Sequence, residues 1–157
     1  MDAFEPKFSD LRDRTQNFGR RIIRLFRALP RAEEARVVGR QLLRSGTSIG
    51  ANYRAACRAR SLADFISKLG ILLEEADESD YWLDLIVSEK MMPNYRLSDL
   101  QRECEELIRI FVSSLNTAEA RRDKRKSKKA FCTMHSAFCT DLTSSYQSDT
   151  PAYPRLE

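Results

Sequence analysis

One stretch of the chain decides the fold: residues 41–55 read QLLRSGTSIGANYRA. Leu42 and Ile49 are seven residues apart, which places both side chains on one face of an α-helix, because each residue turns a helix by about 100°. Two arginines, Arg44 and Arg54, fall roughly opposite that face. The stretch therefore predicts an amphipathic helix with an apolar face for a core and a basic face outside it.

The helix extends in both directions from this stretch, and we predict that it spans about residues 32–59. Between its two faces runs a third strip, which is rich in glycine and consists of Gly39, Leu43, Gly46, Gly50 and Cys57. A glycine in a helix interior costs about 1 kcal/mol relative to alanine. Three glycines on one strip indicate that another backbone approaches closely there. A break in the helix at residues 45–50 is the alternative interpretation.

Two further helices follow from the same three- and four-residue spacing of apolar side chains. The first spans about residues 8–29, and Pro30 either ends it, since proline cannot continue a helix, or sits at the start of the next helix. The second begins near Ser61, where Ser61 and Asp64 have the spacing of a capping box. It ends near residue 92, before a second proline.

The fourth helix is predicted to begin near residue 98 and to end gradually near residue 121. Four helices of this length with short connections pack most simply as an antiparallel, up-down four-helix bundle. The sequence thus predicts an all-α domain over residues 1–121. The remaining residues, 122–157, open with a basic cluster and are rich in Ser and Thr, so we expect a mostly disordered tail. Four residues should share the interior of the bundle: Phe18, Ile49, Leu69 and Phe111.

Charge is distributed unevenly along the chain. Residues 1–60 carry 14 Lys/Arg and 6 Asp/Glu, a net charge of +8, whereas residues 61–120 carry 5 and 13, a net charge of −8. Residues 121–157 carry a net charge of +4. Such halves can attract each other within or between subunits, and the basic half can also bind a polyanion.

The basic residues of the first two helices form stripes, which are the main candidate for a binding site. Guanidinium groups suit phosphate oxygens because they bind them bidentately. We predict nucleic-acid contacts, to RNA or DNA, and the alternative is structural pairing with acidic residues of a neighbouring subunit. The candidate residues are Arg20, Arg24, Arg27, Arg36, Arg40, Arg44, Arg54 and Arg58.

Oligomerisation is a separate prediction, which rests on the glycine strip and on the third helix. That helix has apolar residues on two faces, and therefore has room for two partners: its own bundle and a second copy of the chain. The predicted interface consists of Gly39, Leu43, Gly46, Gly50, Ile71, Glu75, Glu78, Trp82 and Leu85. The alternative is a scaffold whose Ile71, Trp82 and Leu85 bind another protein.

Nothing in the sequence favours an enzyme. The single histidine, His135, falls in the predicted tail, so a Ser-His or Cys-His pair would lack a structured base. The cysteines, at positions 57, 104, 132 and 139, form no C-x-x-C pair that could hold zinc or haem. We therefore predict no catalytic residue, no metal site and no cofactor.

The third helix carries a cluster of carboxylates, which are Glu74, Glu75, Asp77, Glu78, Asp80 and Asp84. A ferritin-like metal site would also need Glu-x-x-His pairs, and the chain has none. A carboxylate-only Mg²⁺ or Mn²⁺ site is one interpretation, and salt bridges to arginines of the second helix are the favoured one. Asp80 falls on the projected core face, so we expect it to be paired with Asn52 or an arginine.

The chain also lacks the marks of export or membrane insertion. No apolar run approaches the roughly 20 residues that a membrane helix needs. The N-terminus, MDAFEPKFSDLRDR, has no apolar signal core. We therefore expect a cytoplasmic protein with no membrane partner.

Three blocks of this sequence resemble one bacterial family. Residues 41–55 resemble the signature of the four helix bundle proteins, and residues 64–69 and 74–83 resemble two further segments of that family. The resemblance covers residues 8–120 and leaves out the tail. The family is also called the ribosomal intervening-sequence protein family, because some members are encoded inside insertions in 23S rRNA genes.

The resemblance carries expectations about architecture and, more weakly, about function. Family members resemble antiparallel four-helix bundles that assemble into rings, typically pentamers. A related branch includes the accessory protein of diversity-generating retroelements, a basic ring that engages nucleic acid and a reverse transcriptase. The resemblance therefore implies a homopentameric ring, with RNA or DNA and a reverse transcriptase as partners.

Overall fold

The computed structural model describes the backbone of residues 8–145 and the side chains of residues 11–127. Over that backbone range the chain forms helices and no strands, which confirms the predicted all-α fold. The elements are α1 (Phe8–Ala28), α2 (Glu33–Cys57), α3 (Leu62–Ser88), a single-turn 3-10 helix (Asn94–Arg96) and α4 (Ser98–Ser145). Helix α2 is continuous through residues 45–50, so the alternative of a break there is wrong.

Neighbouring helices run antiparallel. Gly39, early in α2, faces Leu29 just beyond the end of α1, whereas Gly50, late in α2, faces Thr15 in the first half of α1. Helix α2 also packs along α3, and a salt bridge joins α1 to α4. The four helices therefore close into the up-down bundle that short connections favour.

The interior is built from the apolar stripes of all four helices. Phe18, Ile49, Leu69 and Phe111 come from the four different helices, and each is at most 2% exposed. All four belong to one hydrophobic cluster, which confirms the predicted shared core. Burying a side chain of this size contributes about 1.5–3 kcal/mol. None of the described helices combines the length and the apolar character needed to span a membrane.

Helix α3 begins with the predicted cap in a modified form. The Ser61 hydroxyl accepts a hydrogen bond from the Asp64 backbone N–H at 3.1 Å. The Asp64 carboxylate accepts one from the backbone N–H of Arg60 at 3.0 Å, one residue before the cap itself. Both bonds satisfy donors at the start of the helix, which is what makes a capping residue worth about 1 kcal/mol.

The end of α3 comes earlier than the sequence predicts, at Ser88 rather than near Met92. Lys90 adopts a left-handed backbone conformation with φ of 54°. The N–H of Met91 then bonds back to the carbonyl of Ile86 at 3.0 Å, which is the pattern of a Schellman motif. Glycine usually marks such an end, so a lysine gave no signal in the sequence.

Helix α4 continues to Ser145, past the fading predicted near Arg121. No glycine or proline occurs between Ser98 and Pro151, so the sequence contains no residue that would terminate the helix. The chain divides into two compact units, residues 1–119 and 120–157, and the bundle belongs to the first. In the second unit, residues 120–145 are helical, and the part of the predicted tail at 146–157 lies outside the described residues.

Candidate nucleic-acid interface

The glycines of α2 mark its contact with α1 of the same chain. A Cβ atom added to Gly46 would lie 2.7 Å from Cγ1 of Ile22, closer than side chains pack. At Gly50 an added Cβ would lie 3.3 Å from the backbone oxygen of Thr15. Glycine suits these positions because an added side chain would require Ile22 or the backbone of α1 to shift.

The predicted close backbone approach is therefore made inside one subunit. Gly39 and Gly46 are buried against α1, and Leu43 is half-buried against the core. This differs from their predicted place in a subunit interface. A stripe of small residues on one helix shows that something packs there, but it does not distinguish a neighbouring helix from a neighbouring subunit.

A groove of about 300 Å³ follows the outer side of the α1–α2 contact. Gly19 and Gly50 line it, where neither helix has a side chain to fill the space. Arg20 on α1 and Arg54 on α2 also line it, and Thr47 adds a hydroxyl between them. The helices approach closely enough at the glycines to bring arginines from both stripes to one groove.

Seven of the eight predicted arginines have no acidic partner among the side chains of residues 11–127. Arg54 is half-buried, and the others are exposed. The seven are Arg20, Arg24, Arg27, Arg36, Arg40, Arg54 and Arg58. Their charge is thus not neutralised by the acidic half of the bundle, and it remains available to an anion in solution.

Arg44 is the exception. Its Nη2 atom lies 2.6 Å from a carboxylate oxygen of Glu78, and its Nη1 atom lies 3.7 Å from Glu75. The hydrogen bond and charge of Glu78, with the charge of Glu75, raise the pKa of Arg44. The structure therefore assigns Arg44 to the favoured salt-bridge interpretation, within one subunit, and separates it from the other arginines of the stripes.

Glu75 and Glu78, the acidic partners of Arg44, were predicted to lie in a subunit interface. The indole N–H of Trp82 donates to Glu78 at 3.1 Å, so Glu78 is held by both a tryptophan and Arg44. Burial raises the pKa of Glu75, whose second carboxylate oxygen is buried without a hydrogen-bond partner in the described part of the chain. Trp82 and Leu85 are half-buried, whereas Ile71 is 46% exposed.

Asp80 does not have the partner that the sequence suggested. It is half-buried, and no contact with Asn52 or with an arginine is present among the described side chains. Burial raises its pKa, and the carboxylates of Asp84, Glu105 and Asp77 raise it further. Over the described residues, no group of three or more His, Cys, Asp or Glu side chains is placed to hold a metal ion.

The match to known proteins covers the bundle. The family described as 23S rRNA-intervening sequence protein matches residues 9–113, which is more than half of the chain. This chain belongs to that family. The family predicted from three sequence blocks is therefore confirmed, and the matched range leaves out the basic tail.

A solved relative supports the fold of this 23S rRNA-intervening sequence protein. It is a protein of unknown function from the S23 ribosomal protein family of Bacteroides thetaiotaomicron, whose crystal structure was determined at 1.70 Å resolution. The two sequences are 36% identical, and the superposition has a TM-score of 0.66 over 71% of this chain and 99% of that one. No curated protein matches the chain.

The family member has a second basic concavity that the sequence did not predict. It measures about 370 Å³ and is lined by Arg21 and Arg24 of α1 and by Arg96 of the 3-10 helix. Next to Arg96, the side chain of Tyr95 is 77% exposed. The sequence signal for this concavity was the pair Tyr95 and Arg96 in the short connection after Pro93. A residue in a connection belongs to no helical face, so the sequence did not indicate which residues of other helices lie near it.

A third concavity, of about 620 Å³, has a different character. Leu11, Phe65 and Phe111 are among the residues that line it, and no charged side chain does. The hydroxyl of Tyr53, another lining residue, is buried without a hydrogen-bond partner among the described residues. This concavity has hydroxyl groups but no cation to attract a phosphate, so the candidate nucleic-acid interface consists of the two basic concavities and the other unpaired arginines of the stripes.

Proposed function

We propose that this 23S rRNA-intervening sequence protein is a non-enzymatic, homo-oligomeric protein that binds RNA through the unpaired arginines of α1 and α2. The observation that carries the proposal is the division of the arginines. Arg44 is neutralised by Glu75 and Glu78, whereas the other seven predicted arginines have no acidic partner among the described side chains. The family description, which names an intervening sequence of 23S rRNA, supports RNA as the polyanion.

The electrostatic argument depends on several unpaired charges acting together. An isolated surface ion pair contributes only about 0–1 kcal/mol. Several cations that each neutralise a phosphate release condensed counterions, and the resulting affinity is large at low salt and falls steeply as salt rises. Two glycines, Gly19 and Gly50, line the groove between Arg20 and Arg54, so a phosphate can approach both helices more closely there than larger residues at those positions would allow.

The proposal extends to a ring of several copies, with five as the number that the family resemblance implies. Repeating the arginines around a ring would multiply the positive potential that attracts a nucleic-acid backbone. Exposed apolar residues on α2 and α3 support self-association: Val37 is 49% exposed, Ile71 46% and Tyr81 58%. A reverse transcriptase as a further partner stays a prediction.

Paired charge reversals test the RNA proposal. One variant combines Arg20→Glu with Arg40→Glu, which reverses two exposed and unpaired arginines. The matched control combines Arg102→Glu with Arg109→Glu on α4, where Asp99 and Glu105 already neutralise the arginines. Both variants change the net charge equally, so a difference between them reports position rather than total charge.

Binding of a fluorescein-labelled RNA hairpin, followed by fluorescence anisotropy, is the measurement. We expect the first variant to lose affinity and to flatten the plot of log K against log salt by about two, since each phosphate contact contributes about one unit of slope. The control should keep the slope of the wild type. Equal slopes for all three proteins, with unchanged helical circular dichroism, would show that the arginine stripes do not bind RNA.

A scaffold that binds another protein is the second candidate function, and the exposed apolar residues Ile71 and Tyr81 favour it. If the protein is a scaffold, Ile71→Lys should weaken binding of its protein partner, and the Arg20→Glu/Arg40→Glu change should not affect that binding. RNA binding predicts the opposite response to the arginine change, so the same two variants separate the candidates.

A further inference from the structure

The connection between α3 and α4 exposes an aromatic ring. Tyr95 is 77% exposed, more than any other large apolar or aromatic side chain of the described residues. It lies in the middle of the 3-10 helix Asn94–Arg96, which is anchored on one side by Leu97, a fully buried core residue. Tyr95 makes no ring contact with another aromatic residue of the described part, and its exposure leaves the ring accessible to a flat ligand.

Arg96, the residue that follows Tyr95 in the chain, belongs to the second basic concavity. Arg96 lines it together with Arg21 and Arg24, which project from successive turns of α1. Apolar side chains complete the lining: Leu25, Met92, Leu97 and Leu100. All four are buried, so this surface is fixed by the core of the bundle rather than by flexible side chains.

The three arginines of this concavity are not paired with acidic residues. None of them forms a salt bridge or a side-chain hydrogen bond with another described residue. Like charges around one concavity of about 370 Å³ repel each other, and an anion bound among them would relieve that repulsion. Arginines are also the side chains best suited to phosphate oxygens, because each presents several donors in a planar fork.

We propose that Tyr95 and the Arg21–Arg24–Arg96 concavity form a binding point for single-stranded RNA, in which a base stacks on the tyrosine ring and the adjoining phosphates bind the arginines. The inference rests on the proposed RNA binding and adds which form of RNA is bound. The faces of bases are covered by their neighbours in a duplex and are open to an aromatic side chain only in single strands, loops and ends. Stacking on one tyrosine accepts any base, so the site has no sequence preference.

Three substitutions and two RNA probes test this inference on the full chain. The probes are a fluorescein-labelled oligouridylate of about 12 nucleotides, within the usual range of single-strand site sizes, and a fluorescein-labelled duplex of the same length. Tyr95→Ala removes the ring, Tyr95→Phe keeps it, and Val112→Ala shortens another exposed apolar side chain, 38% exposed on α4 and outside the predicted interface.

We expect Tyr95→Ala to weaken binding of the single strand by about 5- to 100-fold, the range observed when one stacking residue is lost. Tyr95→Phe and Val112→Ala should stay within about twofold of the wild type, because a ring remains at position 95 in both. Duplex binding should be the same in all four proteins. Since Tyr95 is exposed, its replacement should leave the folded state and its circular dichroism unchanged.

Two results would overturn the inference while leaving the proposed function intact. In the first, Tyr95→Ala binds the single strand as tightly as the wild type does, whereas the Arg20→Glu/Arg40→Glu variant loses RNA affinity. The other is an equal loss of single-strand and duplex binding in Tyr95→Ala. A wild-type protein that binds neither probe at low salt would overturn the proposed function together with the inference.

Discussion

Asp80 and Arg44 both departed from what a helical projection indicates. The projection gives the direction in which a side chain leaves its helix, and on that basis Asp80 was expected to meet a donor and Arg44 to join a basic stripe. In the folded protein Asp80 lies near three other carboxylates, and Arg44 reaches Glu78 on α3. The residues that a side chain meets on a neighbouring helix depend on how the two helices are rotated against each other. The sequence of one helix does not contain that rotation.

Replacing Asp80 by asparagine should stabilise the protein at neutral pH. Burial and the neighbouring carboxylates raise the pKa of Asp80 in the folded state, so the folded protein binds this proton more tightly than the unfolded chain does. Stability at this site is therefore lost as the pH rises from the unfolded-state pKa through the folded-state pKa. Asp80→Asn removes the charge, and we expect a higher melting temperature at pH 7.

The gain from Asp80→Asn should shrink as the pH is lowered, because the wild-type carboxyl is then protonated as well. Thermal melts followed by circular dichroism at several pH values measure this difference. Glu74→Gln, on the exposed side of the same helix, is the control and should change little. A melting temperature that Asp80→Asn lowers at pH 7 would mean that the ionised carboxylate has a stabilising partner.

At the scale of the element, apolar spacing predicted all four helices, and local chemistry decided their ends. The start of α3 at Ser61 could be predicted because serine and aspartate are common at helix starts. The end of α3 could not be predicted, because Lys90 takes a conformation that glycine usually adopts. The glycine strip correctly predicted a close backbone contact, and only the folded chain showed that α1 makes it.

Gly46→Ala and Gly70→Ala should have different effects on stability. An added Cβ at Gly46 would lie 2.7 Å from Cγ1 of Ile22, which is fully buried and cannot move aside freely, whereas at Gly70 nothing lies within 4 Å. Alanine gains up to about 1 kcal/mol in helix propensity at both positions. Overpacking costs about 1–3 kcal/mol, so we expect Gly46→Ala to be neutral to destabilising by about 2 kcal/mol.

The measurement is the free energy of unfolding from urea titrations of the two variants and the wild type. Gly70→Ala should be stabilising by several tenths to about 1 kcal/mol. If both variants gain stability equally, α1 and α2 are further apart at Gly46 than the structure shows.

At the scale of the whole molecule, the unequal charge of the two halves is only partly compensated inside the bundle. Arg14 pairs with Glu103 and Glu106, and Arg44 pairs with the acidic side of α3. These pairs join α1 to α4 and α2 to α3, and the remaining arginines of the stripes are left for other partners. Exposed apolar residues add a second feature that one copy of the chain does not satisfy.

The oligomer prediction is tested by the mass of the particle in solution. We expect multi-angle light scattering at micromolar concentration to give a multiple of the 18.2 kDa chain mass, and five copies for the ring that we propose. Ile71→Lys should reduce that mass, because a buried lysine without a partner is strongly disfavoured in an apolar contact.

Val112→Lys is the control, since Val112 is 38% exposed on α4, outside the predicted interface. It should leave the mass unchanged. A wild-type particle of 18.2 kDa would rule out the ring, and the RNA-binding arginines would then have to act in a monomer.

By itself, the sequence determined that this chain is an all-α bundle, which residues form its core, and which family it belongs to, because helical periodicity and the three blocks that resemble the family are properties of neighbouring residues along the chain. The tertiary structure decided which arginines are paired, what the glycines contact, and that Arg96, the residue after Tyr95, lines one concavity with Arg21 and Arg24. Those properties depend on distances between residues far apart in sequence, which are fixed only when the four helices have packed.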